Sequence, residues 1–143
     1  MVICADTSFL FSLYGNDGNT LRALKWMKSC RVALTLSSMN EYELGNALRF
    51  AEFRRAIASG EAALFWAEFE ADVRAGRLKI QVCNLADVVN AAKRLSAYTL
   101  AGGHRGFDIL HVAAAIQLGA ERFLTFDANQ KKLAKLVGLG APL

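Results

Sequence analysis

Residues 2–6 read Val-Ile-Cys-Ala-Asp: a short apolar run, β-branched at its start, stopped by an acid. Such a run is too short for a buried helix and has no polar alternation. It predicts a strand buried on both faces, as in a parallel sheet. Three further runs follow the same pattern. Arg31–Leu36 leads into Ser37 and Ser38, Leu78–Val82 leads into Asn84, and Arg122–Phe126 is stopped by Asp127. Between them lie stretches with helical spacing. Helices are predicted after Asp6, over Leu21–Ser29 (Thr20 as cap; Leu21, Leu24 and Met27 on one face), Met39–Ala58, Glu61–Ala75, from Asn84 or Asp87 to Tyr98, Phe107–Leu118 and Ala128–Val137. The glycine-rich segment 101–106 reads as a loop, and the tail 138–143 as a short edge strand or a frayed end. Short strands alternating with helices predict an α/β fold with a central parallel sheet of four to five strands and helices on both faces, because parallel strands need crossover connections.

The 143 residues fit one domain, 1–143, with no Pro-rich linker, since the only proline is Pro142. Hydrophobic residues make up 54% and charged residues 21%, which excludes a disordered chain. Cys4, Cys30 and Cys83 are odd in number and widely spaced, with no CxxC pair, so neither a zinc cluster nor a disulfide framework is expected. Free thiols and an N-terminus without a basic leader point to the cytoplasm. No apolar run approaches the roughly 18 residues of a membrane span.

In an open parallel sheet, ligands bind beyond the carboxyl ends of the strands. Asp6 and Asp127 directly follow the first and fourth strands, Glu43 lies early in the helix after the second, and Asp108 opens the most apolar helix. Each alone is readily a turn, cap or surface residue. Together they are expected at one sheet edge. Crowded carboxylates need cations or protons to neutralise them, and oxygen-only ligands select Mg²⁺ or Mn²⁺ over Zn²⁺. Such ions activate water and stabilise charge on a phosphoryl oxygen, which suits phosphodiester hydrolysis. Thr7, Ser8 and Thr125 are placed to orient a carboxylate or a metal-bound water, or simply to cap. His104 and His111 lack a zinc spacing and read as capping or packing residues, with contact to substrate as the alternative. Net charge is +4. Setting four of the 13 acids aside leaves 17 basic residues against nine, an acidic hole in a basic surface that attracts a polyanion.

The segments ADTSFL (5–10), ELGNAL (43–48), RGFDILHVAAA (105–115) and FLTFDANQ (123–130), in this order across the chain, resemble the PIN-domain proteins, and among them the VapC toxins of toxin–antitoxin pairs. The resemblance implies a three-layer α/β/α fold, Mg²⁺- or Mn²⁺-dependent endoribonuclease activity on RNA, a homodimer, and a small antitoxin as partner. It places Asp6, Glu43, Asp108 and Asp127 as the four acids, with Glu41 the competitor for Glu43. It adds Asn46 on the Glu43 face and Arg105 as a contact to phosphate or antitoxin. The helical segment 50–77, with Arg49, Arg54, Arg55, Arg74 and Arg77 around Phe50, Phe53, Trp66 and Phe69, is an RNA track, an antitoxin groove, or an amphipathic hairpin with solvated arginines. Two other functions fit less well. A signalling receiver needs paired acids after the first strand and a Lys after a fifth, and both are missing. A non-catalytic PIN scaffold would have no need of all four acids.

Overall fold

A computed structural model describes residues 1–143. Its four strands are β1 (Ile3–Ala5), β2 (Leu34–Ser37), β3 (Leu78–Gln81) and β4 (Arg122–Leu124). All pair in parallel, in the order β3-β2-β1-β4. The tail adds a single parallel bridge from Gly140 to Arg122 and no fifth strand. The helices are α1 (Thr7–Tyr14), α2 (Thr20–Ser29), α3 (Ser38–Phe53), α4 (Glu61–Arg74), α5 (Leu85–Leu95), α6 (Thr99–Gly102), α7 (Gly106–Gln117) and α8 (Ala128–Leu136).

The two-residue period of a strand sends neighbouring side chains to opposite faces. Ile3 and Ala5 join Leu34, Leu36 and Leu124 in a core with Phe9 and Leu10 of α1, Leu44 and Leu48 of α3, and Phe69 of α4. Cys4 and Phe123 face the other way, into a core with Val88 of α5, Val112 to Ala115 of α7 and Leu133 of α8. Two separate cores on one sheet make the expected three layers. Burying a side chain such as Phe9 or Leu10 contributes about 1.5–3 kcal/mol, and both are fully buried. The run of alanines in α7 lets that helix lie close on the sheet.

Several boundaries differ from the sequence reading. In α2 the packed stripe is the buried Ala23 with the half-buried Trp26, Met27 and, just past the helix end, Cys30, which also satisfies i, i+3, i+4, i+7 spacing. Leu21 is 81% exposed, so the Leu21–Leu24–Met27 face is not the packed one. The small Ala23 side chain permits the closer approach. Helix α3 stops at Phe53, short of Ala58, because Arg55 turns to a left-handed φ of 60° and Ala56 N–H reaches back to the Ala51 carbonyl. Ile57 therefore packs from the following loop. Asn84, not Asp87, caps α5 through the Asp87 N–H. α5 itself ends at Leu95, before a 3-10 turn, and part of the expected 101–106 loop is the last turn of α6. No helix is long and apolar enough to cross a membrane.

Candidate active site

With β2, β1 and β4 side by side, the segments leaving their carboxyl ends meet over the middle of the sheet. The chain turns one way from β1 to β2 and the other way to β4, which opens a crevice there. Asp6, Glu43, Asp108 and Asp127 all line one cavity of about 590 Å³ at this edge, with Thr7, Ser8 and His111. Glu41, two residues from Glu43 and so turned off its face, does not line it.

Asp6 is 3% exposed. It caps α1, its Oδ1 accepting the Phe9 N–H at 2.9 Å. Ser8 Oγ donates to both of its oxygens at 2.8 Å, and Thr125 Oγ1 donates to Oδ2 at 2.7 Å. Burial nonetheless prevails over these bonds and pushes its pKa up to about 6. Asp127 caps α8 by accepting the Gln130 N–H, and its own N–H donates to Thr125 Oγ1. Thr125 therefore ties the two strand-end acids together, and the Ser8 hydroxyl, accepting from Phe126 N–H, braces the same join.

Glu43 is half-buried. Desolvation raises its pKa, but hydrogen bonds from His111 and Thr7, with the His111 charge, outweigh this and leave it below the ordinary range. His111 Nε2 lies 3.1 Å from Glu43 Oε1. The other ring nitrogen, Nδ1, faces the Asn40 amide nitrogen at 3.3 Å. The Asn40 Oδ1 already accepts from Ser37 N–H and Oγ, so its Nδ2 is the end that faces His111. A donor opposite Nδ1 places the imidazole proton on Nε2, aimed at Glu43. Asp108, in the first turn of α7, has its pKa raised by burial first and then by the Asp127 and Glu43 charges, while His111 and Arg105 act in the opposite sense. The Gln130 amide reaches the Asp108 carbonyl at 3.2 Å and locks α8 to α7.

Not every expected residue joins them. Asn46 is exposed and off the cavity; Ala47 takes the place on the Glu43 face. Arg105 is exposed beside the rim, felt by Asp108 but not lining the cavity. The sequence reading missed His111 as a site residue, although its spacing of three from Asp108 puts both on one helical face. It also missed Asn40, Gln130 and a fifth acid, Asp17. Asp17 lines the cavity from the turn after α1 and is held there by Ser12 Oγ and Asn19 N–H. Nothing in that turn's composition singles Asp17 out.

The four acids share one cavity, yet no three His, Cys, Asp or Glu side chains converge closely enough to hold one ion as they stand. Three of them have partners of their own: two hydroxyls hold Asp6, His111 holds Glu43, and the start of α8 holds Asp127. The donor chemistry still fits a hard divalent cation. All four are carboxylates, and the raised pKa values of Asp6 and Asp108 mark charge that a cation would relieve.

Three solved structures share this architecture. VapBC2 from Rickettsia felis bound to a DNA fragment from their promoter aligns with a TM-score of 0.67 and 15% identity, over 99% of this chain and 97% of that one. FitAcB from Neisseria gonorrhoeae aligns with a TM-score of 0.66 and 17% identity, over 98% and 96%. PAE2754 from Pyrobaculum aerophilum gives 0.59 and 21%, over 99% and 83%. No curated protein sequence matches the chain. The family model of the PIN domain matches residues 3–136, nearly the whole sequence, and it spans every acid of the cavity. On that match the chain belongs to the PIN-domain family.

Proposed function

We propose that this protein is a Mg²⁺- or Mn²⁺-dependent endoribonuclease, the VapC-like toxin of a toxin–antitoxin pair. PIN domains are in general nucleases that use divalent ions. The observation that carries the finer reading is the gathering of Asp6, Glu43, Asp108 and Asp127, from four separate segments, around one cavity at the sheet edge. These four would hold the metal. When bound, it would lower the pKa of a coordinated water and stabilise charge on the phosphoryl oxygens.

The protein's own contribution is positioning. Ser8 and Thr125 hold the Asp6 carboxylate in one orientation, and His111, braced by Asn40, holds Glu43. With the acids neutralised by cations, the surplus of basic residues elsewhere draws in the RNA backbone. The likeness of fold to VapBC2 and FitAcB supports an antitoxin as partner; a homodimer acting in the cytoplasm is part of the same proposal. Partner-free protein loaded with Mn²⁺ and given transfer, ribosomal and messenger RNA should cut at least one class, and EDTA should stop it. If none is cut, and Mn²⁺ produces no binding heat, the non-catalytic scaffold replaces this reading.

A further inference from the structure

Glu43, Ala47, Phe50 and Arg54 all line the acidic cavity. They stand at i, i+4, i+7 and i+11 along α3, so they form one stripe on one helical face. Read outward from the acids, the stripe passes from carboxylate to methyl to aromatic ring to cation. At 1.5 Å per residue, Phe50 lies roughly 10 Å along the axis from Glu43, within reach of the next one or two nucleotides of an extended strand.

The rings beyond the acids are open. Phe50 is 52% and Phe53 79% exposed, costly positions for phenylalanine unless something covers them. They stack on each other with centroids 6.0 Å apart and planes inclined by 22°, and the Arg54 guanidinium lies 4.8 Å from the Phe50 centroid. Phe126 also lines the acidic cavity, but its ring is only partly exposed, packed against the core beside Phe9. Past Phe50 the surface continues into a second cavity, lined by Phe53, Arg49 and Arg55. Glu52 and Glu61 line it too, but they accept from the backbone N–H groups of Ala58, Gly60 and Ala62. No acid pairs with Arg49, Arg54 or Arg55.

We infer that the last turns of α3 form a subsite for single-stranded RNA, in which Phe50 and Phe53 stack bases next to the cleaved bond and Arg49, Arg54 and Arg55 take the phosphates. Unpaired cations beside open aromatic rings, continuous with the acidic cavity, are the combination a nucleic-acid strand matches. A protein partner would have to bring its own row of acids to these cations, whereas an RNA strand carries a phosphate at every nucleotide beside a base that can stack. The inference rests on the ribonuclease reading for its direction, outward from the acids.

The test is binding of a short single-stranded RNA carrying 2-aminopurine, measured by anisotropy and base fluorescence with the full-length protein in EDTA, where no cleavage occurs. Phe50→Ala and Phe53→Ala should each weaken binding about tenfold, within the roughly 5- to 100-fold range for loss of a stacked base. They should also relieve the 2-aminopurine quenching and leave the melting temperature unchanged. Phe50→Trp should keep both affinity and quenching. Arg54→Ala should lower the salt slope by about one, which the Phe variants should not. Affinity and quenching unchanged in Phe50→Ala and Phe53→Ala would overturn the subsite. So would a change confined to self-association in sedimentation, which would make the patch a protein interface. The two readings fail separately. Cleavage in Mn²⁺ that is indifferent to Phe50 and Phe53 sinks the subsite alone. Stacked binding without cleavage in any metal sinks the nuclease alone.

Discussion

Asp6 shows how much of this site is held against its own preference. Its folded pKa, about 6, lies above the ordinary value of 3.8, so the folded chain binds this proton more tightly than the unfolded chain does. The resulting stability is fully present below pH 3.8 and is lost as pH rises through 6. In EDTA at pH 8, Asp6→Asn should therefore melt higher than the wild type. An asparagine keeps an oxygen for the Phe9 N–H and carries no charge to bury, and the gain is on the order of 2–3 kcal/mol. The difference should vanish near pH 4, and a less stable variant at pH 8 would show that the hydroxyls satisfy the ionised acid fully. His111 makes a complementary case. His111→Leu removes the donor that holds Glu43 down, and burial then lifts that carboxyl. Cleavage should fall about 10- to 100-fold and the acid limb of its pH profile should move upward. His111→Gln, which keeps an N–H, should restore much of both. Both imidazoles looked like packing residues in the sequence because a histidine on an apolar helix usually packs. For His111, the spacing of three from Asp108 is the one signal in the sequence, and the pairing of α7 with α3 makes it a partner of Glu43.

Helix boundaries and faces depend on contacts that local pattern leaves open. The α2 sequence supports two stripes of helical spacing. The larger residues suggested Leu21, Leu24 and Met27, while the fold buries Ala23 and packs Trp26, Met27 and Cys30 half-buried against the core. Ala23→Leu should therefore lower stability by about 1–3 kcal/mol through overpacking, whereas Leu21→Ala should shift it by less than about 0.5 kcal/mol; thermal melts of the two variants decide between the stripes. The end of α3 was misread for a related reason. Its helical periodicity continues to Ile57, but Arg55 sits at φ 60°, where glycine is the usual residue. Arg55→Gly should raise stability by about 1–2 kcal/mol, read as a higher melting temperature, and it should weaken RNA binding by removing one of the subsite cations. If Arg55→Gly melts lower, the left-handed turn is not strained. The four strands, by contrast, were legible to within three residues at each end, the largest miss being β2, read from Arg31 and starting at Leu34. Short β-branched runs ending in Asp, Ser or Asn carry both the strand and the turn that stops it, and their parallel pairing follows from the helices between them.

At the scale of the molecule, strand order does what no single residue could. The sequence placed four acids at strand ends and helix starts. The order β3-β2-β1-β4 brings three of those ends side by side and α7 against them. What stayed hidden was the arrangement within the cavity, where three of the four acids are held by hydroxyls, an imidazole or a helix start, and where α3 extends the site toward open rings and unpaired arginines. Those contacts join residues 35 to 119 positions apart (Asn40 to Ala5, Glu43 to His111, Asp6 to Thr125), beyond the reach of periodicity. The central claim is that the shared carboxylate cavity does the chemistry. It is tested most directly by single-turnover cleavage of labelled RNA in saturating Mn²⁺, comparing the wild type with Asp108→Asn of matched melting temperature. The account predicts that Asp108→Asn is at least about 100-fold slower. Equal rates would contradict it.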